Sequence, residues 1–121
     1  MKKLILSTVA TLAISASAAV AGNVSIVDQW GFGNAQGTGQ AGNYNLSVTD
    51  QGGAANESVT MQRGLANGSS TYQRGAFNAS VTDQLGAFNS SSTSQFGHKG
   101  HYSETTQTGA GNSSITVQSD W

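Results

Sequence analysis

Between residues 23 and 118 the chain alternates between fixed polar positions and variable ones. In Asn45-Leu-Ser-Val-Thr-Asp-Gln51 the fixed residues Asn, Ser, Thr and Gln stand at every second place, with Leu, Val and Asp between them. Elsewhere the intervening places hold Val24, Ile26 and Asp28, or Glu57, Val59 and Met61, or Ser90, Ser92 and Ser94, or Tyr102, Glu104 and Thr106. A period of two is that of a β-strand, whose side chains point alternately to opposite faces. There is no apolar stripe at helical spacing, and the Val, Thr and Ser enrichment favours strands over an eleven-residue amphipathic helix.

The phrase repeats. Gln falls at Gln29, Gln40, Gln51, Gln62, Gln73, Gln84 and Gln95, eleven residues apart, then at Gln107 and Gln118 after one extra residue. Gly follows two places later at Gly31, Gly42, Gly53, Gly64, Gly75, Gly86, Gly97 and Gly109. Asn stands at Asn23, Asn34, Asn45, Asn56, Asn67, Asn78, Asn89 and Asn112, and His101 takes its place in the irregular unit. The seven residues from Asn to Gln predict a strand. The four that follow predict a tight turn, with Gly supplying positive φ or close backbone approach. The sequence therefore predicts nine strands.

Two strands and two turns make one coil of 22 residues, so the fold expected is an all-β, cross-β solenoid of two parallel, in-register sheets. Stacking each strand on the one two units along sets Gln on Gln and Asn on Asn, so that each amide donates to one neighbour and accepts from the other. A meander of hairpins would set Asn opposite Gln and leave the identity of the repeat unexplained. A set of positions that admits Asp, Glu, Gly and Met alike faces outward, which turns Asn, Ser, Thr and Gln inward. Stacked ladders are expected to satisfy those buried amides and hydroxyls.

Composition fits a chain that is not held by an oily core. Of 121 residues, 36% are apolar and 9% charged, with no Pro and no Cys, so neither a large hydrophobic core nor disulfides are available. Lys2 and Lys3 precede an apolar run from Leu4 to Ile14 and then Ala19-Val20-Ala21, which reads as a signal peptide over residues 1–21 and a secreted mature chain. A membrane anchor is the weaker reading, because Ser and Thr interrupt the run and no lipobox cysteine follows. The mature chain then carries three Lys and Arg against six Asp and Glu, with no basic cluster to bind nucleic acid.

The phrase Ser47, Gln51, Gly53, Asn56, Ser58, Gln62, and its copies over residues 23–118, resembles the curlin repeat. In that family a Ser stands six before the Gln; here that place is Asn45, and Ser47 stands four before. The resemblance implies a subunit of curli, the functional amyloid of bacterial biofilm. It would be exported through an outer-membrane pore, added to a homopolymeric fibre on a nucleator subunit, and serve adhesion. The regularity of the repeats favours the bulk subunit over the minor nucleator. Curlins carry a Gly-rich N-terminal segment for pore targeting, and the nearest match here is GFGNAQGTGQ after Trp30.

Open ends would let each molecule template the next, since the first strand is in register and the last, Asn112 to Gln118, is a complete copy. Asp28 and Asp50 would stack as like charges on one sheet and could act as gatekeepers against premature assembly, with Gly37 and Gly39 weakening their strand. The aromatics Trp30, Phe32, Tyr44, Phe77, Phe88 and Phe96 are expected at the turns.

Other chemistry is weakly signalled. Seven Asn-x-Ser sequons arise from the repeat itself, and His98, His101 and Glu104 form a thin case for a metal site, so neither a catalytic centre nor a cofactor is expected. The contrasting reading is a monomeric ice-binding-type solenoid with the Ser-x-Thr array outward. It would need Val24, Leu46, Val48 and Met61 inside, together with Asp28, Asp50 and Asp83.

Overall fold

The computed structural model describes residues 22–120; the expected signal peptide over residues 1–21, and Trp121, lie outside the described residues. Nine strands follow in order: β1 (Val24–Phe32), β2 (Ala35–Asn43), β3 (Leu46–Ala54), β4 (Glu57–Leu65), β5 (Gly68–Ala76), β6 (Ala79–Ala87), β7 (Ser90–Gly97), β8 (Tyr102–Ala110) and β9 (Ser113–Ser119). The odd strands form one sheet, β1-β3-β5-β7-β9, and the even strands the other, β2-β4-β6-β8.

Every pairing is parallel and in register. Gln29 lies beside Gln51, Gln51 beside Gln73, and Gln40 beside Gln62, with each intervening residue similarly matched. The extra residue between β7 and β8 is absorbed in the connection, so Gln84 still meets Gln107 and Gln95 meets Gln118. The chain is the β-solenoid of two parallel sheets that the eleven-residue period requires.

The core is polar. Among the described residues no hydrophobic side chain is buried; the buried side chains are Asn, Ser, Thr and Gln of the repeat, with Gln51, Gln62, Gln73, Gln84 and Gln95 all at 0% exposure. Val24, Leu46 and Met61 face out. The inward Ser-x-Thr columns leave these sheets without the outward hydroxyl array that an ice-binding reading needs.

The turns fall in the four residues after each Gln, but the strands extend into them. The strands run to nine residues and take in the glycines, which pair Gly on Gly within the ladders at φ between 104° and 142°. A Cβ on Gly75 would lie 1.8 Å from the Gly97 carbonyl oxygen, and the same close approach recurs at Gly31, Gly42, Gly53, Gly64 and Gly86. Positive φ and close approach are both present at these glycines, as expected. A second left-handed position ends each four-residue stretch, at the residue before the next Asn or His101: Tyr44, Ala55, Ala66, Phe77 and Phe88 all sit at φ between 53° and 60°, and Gly22, Gly33, Gly100 and Gly111 take the equivalent place. Trp30, Phe32 and Phe96, expected at turns, belong to strands.

Candidate functional site

The described residues set out three kinds of candidate chemistry: the inner columns, the outer faces and the two end edges. The glutamine columns are continuous. Gln51 donates to Gln73 and Gln73 to Gln95 at 2.7 Å each, and Gln95 donates to Gln118 at 2.8 Å. On the other sheet Gln40, Gln62, Gln84 and Gln107 are joined by bonds of 2.7–2.8 Å. Gln29 starts the first series by donating to Gln51. The amide nitrogens of Gln40, Gln62, Gln73, Gln84, Gln95, Gln107 and Gln118 also reach a backbone carbonyl across the coil, as Gln73 does to the Glu57 oxygen at 2.8 Å.

Amides suit this spacing for a geometric reason. Parallel strands stand about 4.8 Å apart, and an amide with bonds of about 1.2 and 1.3 Å holds its oxygen and nitrogen about 2.2 Å apart. The remaining gap is a normal hydrogen bond.

A hydroxyl is a single atom and leaves the whole gap open. Accordingly Ser47, Thr49, Ser58, Thr60, Thr71 and Thr82 have buried hydroxyls with no hydrogen-bond partner among the described residues. The expectation that stacking satisfies every buried polar group holds for the amides and fails for the hydroxyls.

The asparagine columns act on the turns. Asn45 Oδ1 accepts from the backbone N–H of Asn67 at 3.1 Å and from its side chain at 3.1 Å. The Asn67 side chain also donates to the carbonyls of Arg63 and Gly86. One residue thus closes the arc behind it and fixes the coil ahead, which offsets the strain of a side chain in the left-handed region just before it.

His101 interrupts the column. Its N–H donates to Asn78 Oδ1 at 3.2 Å as an asparagine there would, but its ring Nε2 lies 3.0 Å from the Phe96 oxygen and 3.3 Å from Asp120 Oδ1. Glu104 is turned outward instead, accepting a hydrogen bond from Tyr102 and holding that phenol above its ordinary pKa through this bond and its charge. His98, His101 and Glu104 therefore do not converge, and among the described residues no group of three or more potential metal ligands exists.

On the outer face of the odd-stranded sheet, Asp28 pairs with Asp50 as expected. What the sequence reading missed is the cation beside them: Arg74 lies 4.0 Å from Asp50, and on the other sheet Arg63 lies 3.7 Å from Asp83. Arg74 also sits 5.6 Å from the Trp30 ring and 4.7 Å from that of Tyr72. Trp30 lies across Gly52, where a Cβ would come within 2.2 Å of its ring, so this glycine makes room for an indole rather than a turn. Residues two rows apart carry this cluster, which a one-dimensional reading of eleven-residue units does not bring together.

No known family, no curated protein and no solved structure was found to match this chain.

Proposed function

We propose that the chain is the structural subunit of an extracellular fibre, a curlin-like functional amyloid whose copies polymerise end to end and support adhesion within a biofilm matrix. The observation that carries this reading is the continuity of both glutamine columns up to edges that no described residue covers: β1 and β2 at one end, β8 and β9 at the other. Monomeric solenoids normally close such ends with a cap. Here each end presents the groups its opposite lacks, and a second copy of the same chain is the partner that supplies them.

The family resemblance adds export by the signal peptide, passage through an outer-membrane pore and a start on a nucleator subunit. A minor nucleating role is the second reading; the regularity of the phrase favours the bulk subunit, since His101 alone departs from the asparagine series of the nine units.

The test is made on residues 22–121, transferred from denaturant to buffer at micromolar concentration. The expected result is amyloid-dye binding after a lag, abolished by preformed fibres, with reflections near about 4.7 and 10 Å. A persistent monomer with immediate β-structure and no fibres would remove the reading.

A further inference from the structure

The two ends of the solenoid are stepped. The odd sheet has five strands and the even sheet four, so β9 stands half a coil beyond β8. The step leaves a polar recess of about 470 Å³ lined by Thr105, Gln107, Asn112, Ser114 and Thr116. At the opposite end β1 stands half a coil beyond β2.

Two stepped ends can meet in two ways. If the next copy keeps the same orientation, its β1 stacks on β9, and its β2 faces β8 across a vacant row. The amides and backbone of both would then lie unpaired inside the fibre. If the next copy is turned by 180° about the fibre axis, its β1 drops into the recess and stacks on β8. Its β2 then follows on β9, and no row is missing.

The turn is available because both sheets carry the same inner phrase, so a half-turn maps one set of columns onto the other. We propose that successive copies of this chain join through this half-turn, giving a fibre with twofold screw symmetry and an axial step of four and a half coils. This rests on the self-stacking reading above and specifies its interface.

The edge chemistry is complementary in this register. Within the columns each glutamine Nε2 donates toward the C-terminal end. Gln107 Nε2 therefore meets Oε1 of Gln29 of the next copy, and Gln118 meets Gln40 of that copy. The asparagines run the other way, so Asn112 Oδ1 receives the N–H of Asn34 of the next copy, as Asn45 receives that of Asn67. At Gly109 a Cβ would meet only the Asn112 side-chain nitrogen, at 3.7 Å, and no backbone atom, which leaves room for Gly31 of the next copy to stack. Two unfavourable features are created: His101 has no Oδ1 to receive the N–H of Asn23 of the next copy, and Glu104 lies diagonal to Asp28 of that copy.

The chain has no cysteine, which permits a direct test. A disulfide needs Cα atoms about 4.4–6.8 Å apart, and in-register parallel neighbours meet that. In the half-turn joint the outward positions 104 and 26 are neighbours; in the unrotated joint 115 and 26 are. Fibres of Ile26→Cys/Glu104→Cys, oxidised and run on a non-reducing gel, are expected to give a ladder of covalent multimers, and Ile26→Cys/Ile115→Cys fibres none.

The reverse pattern, or fibres with no ladder from either pair, would overturn the half-turn while leaving the fibre reading intact. Absence of fibres from the unsubstituted chain would overturn the fibre reading itself. Electron cryo-microscopy of unsubstituted fibres checks the same claim independently of the cysteines. It is expected to show a 180° rotation per step of about 22 Å, from four and a half rows at about 4.8 Å, and an unrotated repeat would overturn it.

Discussion

Gln73 shows how little tolerance the polar core has. Its Oε1 accepts from Gln51 and its Nε2 donates to Gln95, both at 2.7 Å and both buried. Gln73→Ala removes two ladder bonds and the bond to the Glu57 carbonyl, so that a donor and two acceptors lose a partner, at a cost of about 1–3 kcal/mol for each buried group left unpaired. Ser70→Ala, on the outer face of the same strand, is expected to change stability by less than about 0.5 kcal/mol. Denaturant midpoints of fibres from the two variants compare them directly.

Gln73→Glu is more selective. Ionised, the carboxylate faces the Gln95 oxygen with no proton to give and is buried as a charge, so its pKa in the folded state is raised. A raised folded pKa means that stability is fully present below the unfolded carboxyl value of about 4.3 and is lost as pH rises through the folded value. This variant should therefore form fibres near pH 4 and fail at neutral pH, while the unsubstituted chain forms them at both. Dye kinetics at the two pH values decide it.

At the level of strands and arcs, glycines that look alike in the sequence do different work. Gly75, at φ 119°, has the Gly97 oxygen where a Cβ would go, whereas Gly37 has nothing within 4 Å of that point. Gly75→Ala should abolish assembly, and Gly37→Thr should speed it by restoring a strand-forming residue to β2. Ala66, at φ 54°, should gain from substitution by Gly, with relief of about 1 kcal/mol of left-handed strain.

The strands, their register and their inner faces were legible because a period of two and a period of eleven are both written in residue identity. The second left-handed position of each arc was not, because the place before each Asn accepts Tyr, Ala, Phe and Gly alike. There the conformation is imposed by the asparagine's bonds to neighbouring coils rather than by the residue that adopts it. The Arg74–Asp50 approach was hidden for a related reason, since it joins rows that lie beside each other only after the coil has closed. It also divides the two expected gatekeepers. Asp50 has a cation beside it, and exposed pairs of this kind are worth only a few tenths of a kcal/mol; Asp28 has none among the described residues. Asp28→Asn should shorten the assembly lag more than Asp50→Asn does, and equal lags for both variants and the parent chain would remove the gatekeeper role.

For the molecule as a whole the decisive fact is that no hydrophobic side chain among the described residues is buried. Ordering a backbone costs about 1–2 kcal/mol per residue, and in most small domains apolar burial offsets it. Here the offset comes from hydrogen bonds along columns, each of which contributes only about 1 kcal/mol net. Every coil inside a stack has two neighbours, and a coil at an edge has one. In such a quasi-one-dimensional system a longer stack dilutes the cost of its ends, so joining copies removes what an isolated molecule bears at both edges. The isolated chain is therefore expected to be disordered, and order should arrive with assembly. Circular dichroism of freshly desalted residues 22–121 should read as coil, and the β-signal should rise in step with dye binding rather than before it. Added fibres should bring both forward together. A full β-spectrum in the first seconds, at concentrations where no fibres form, would show instead that the polar columns suffice within one molecule and that stacking adds only length.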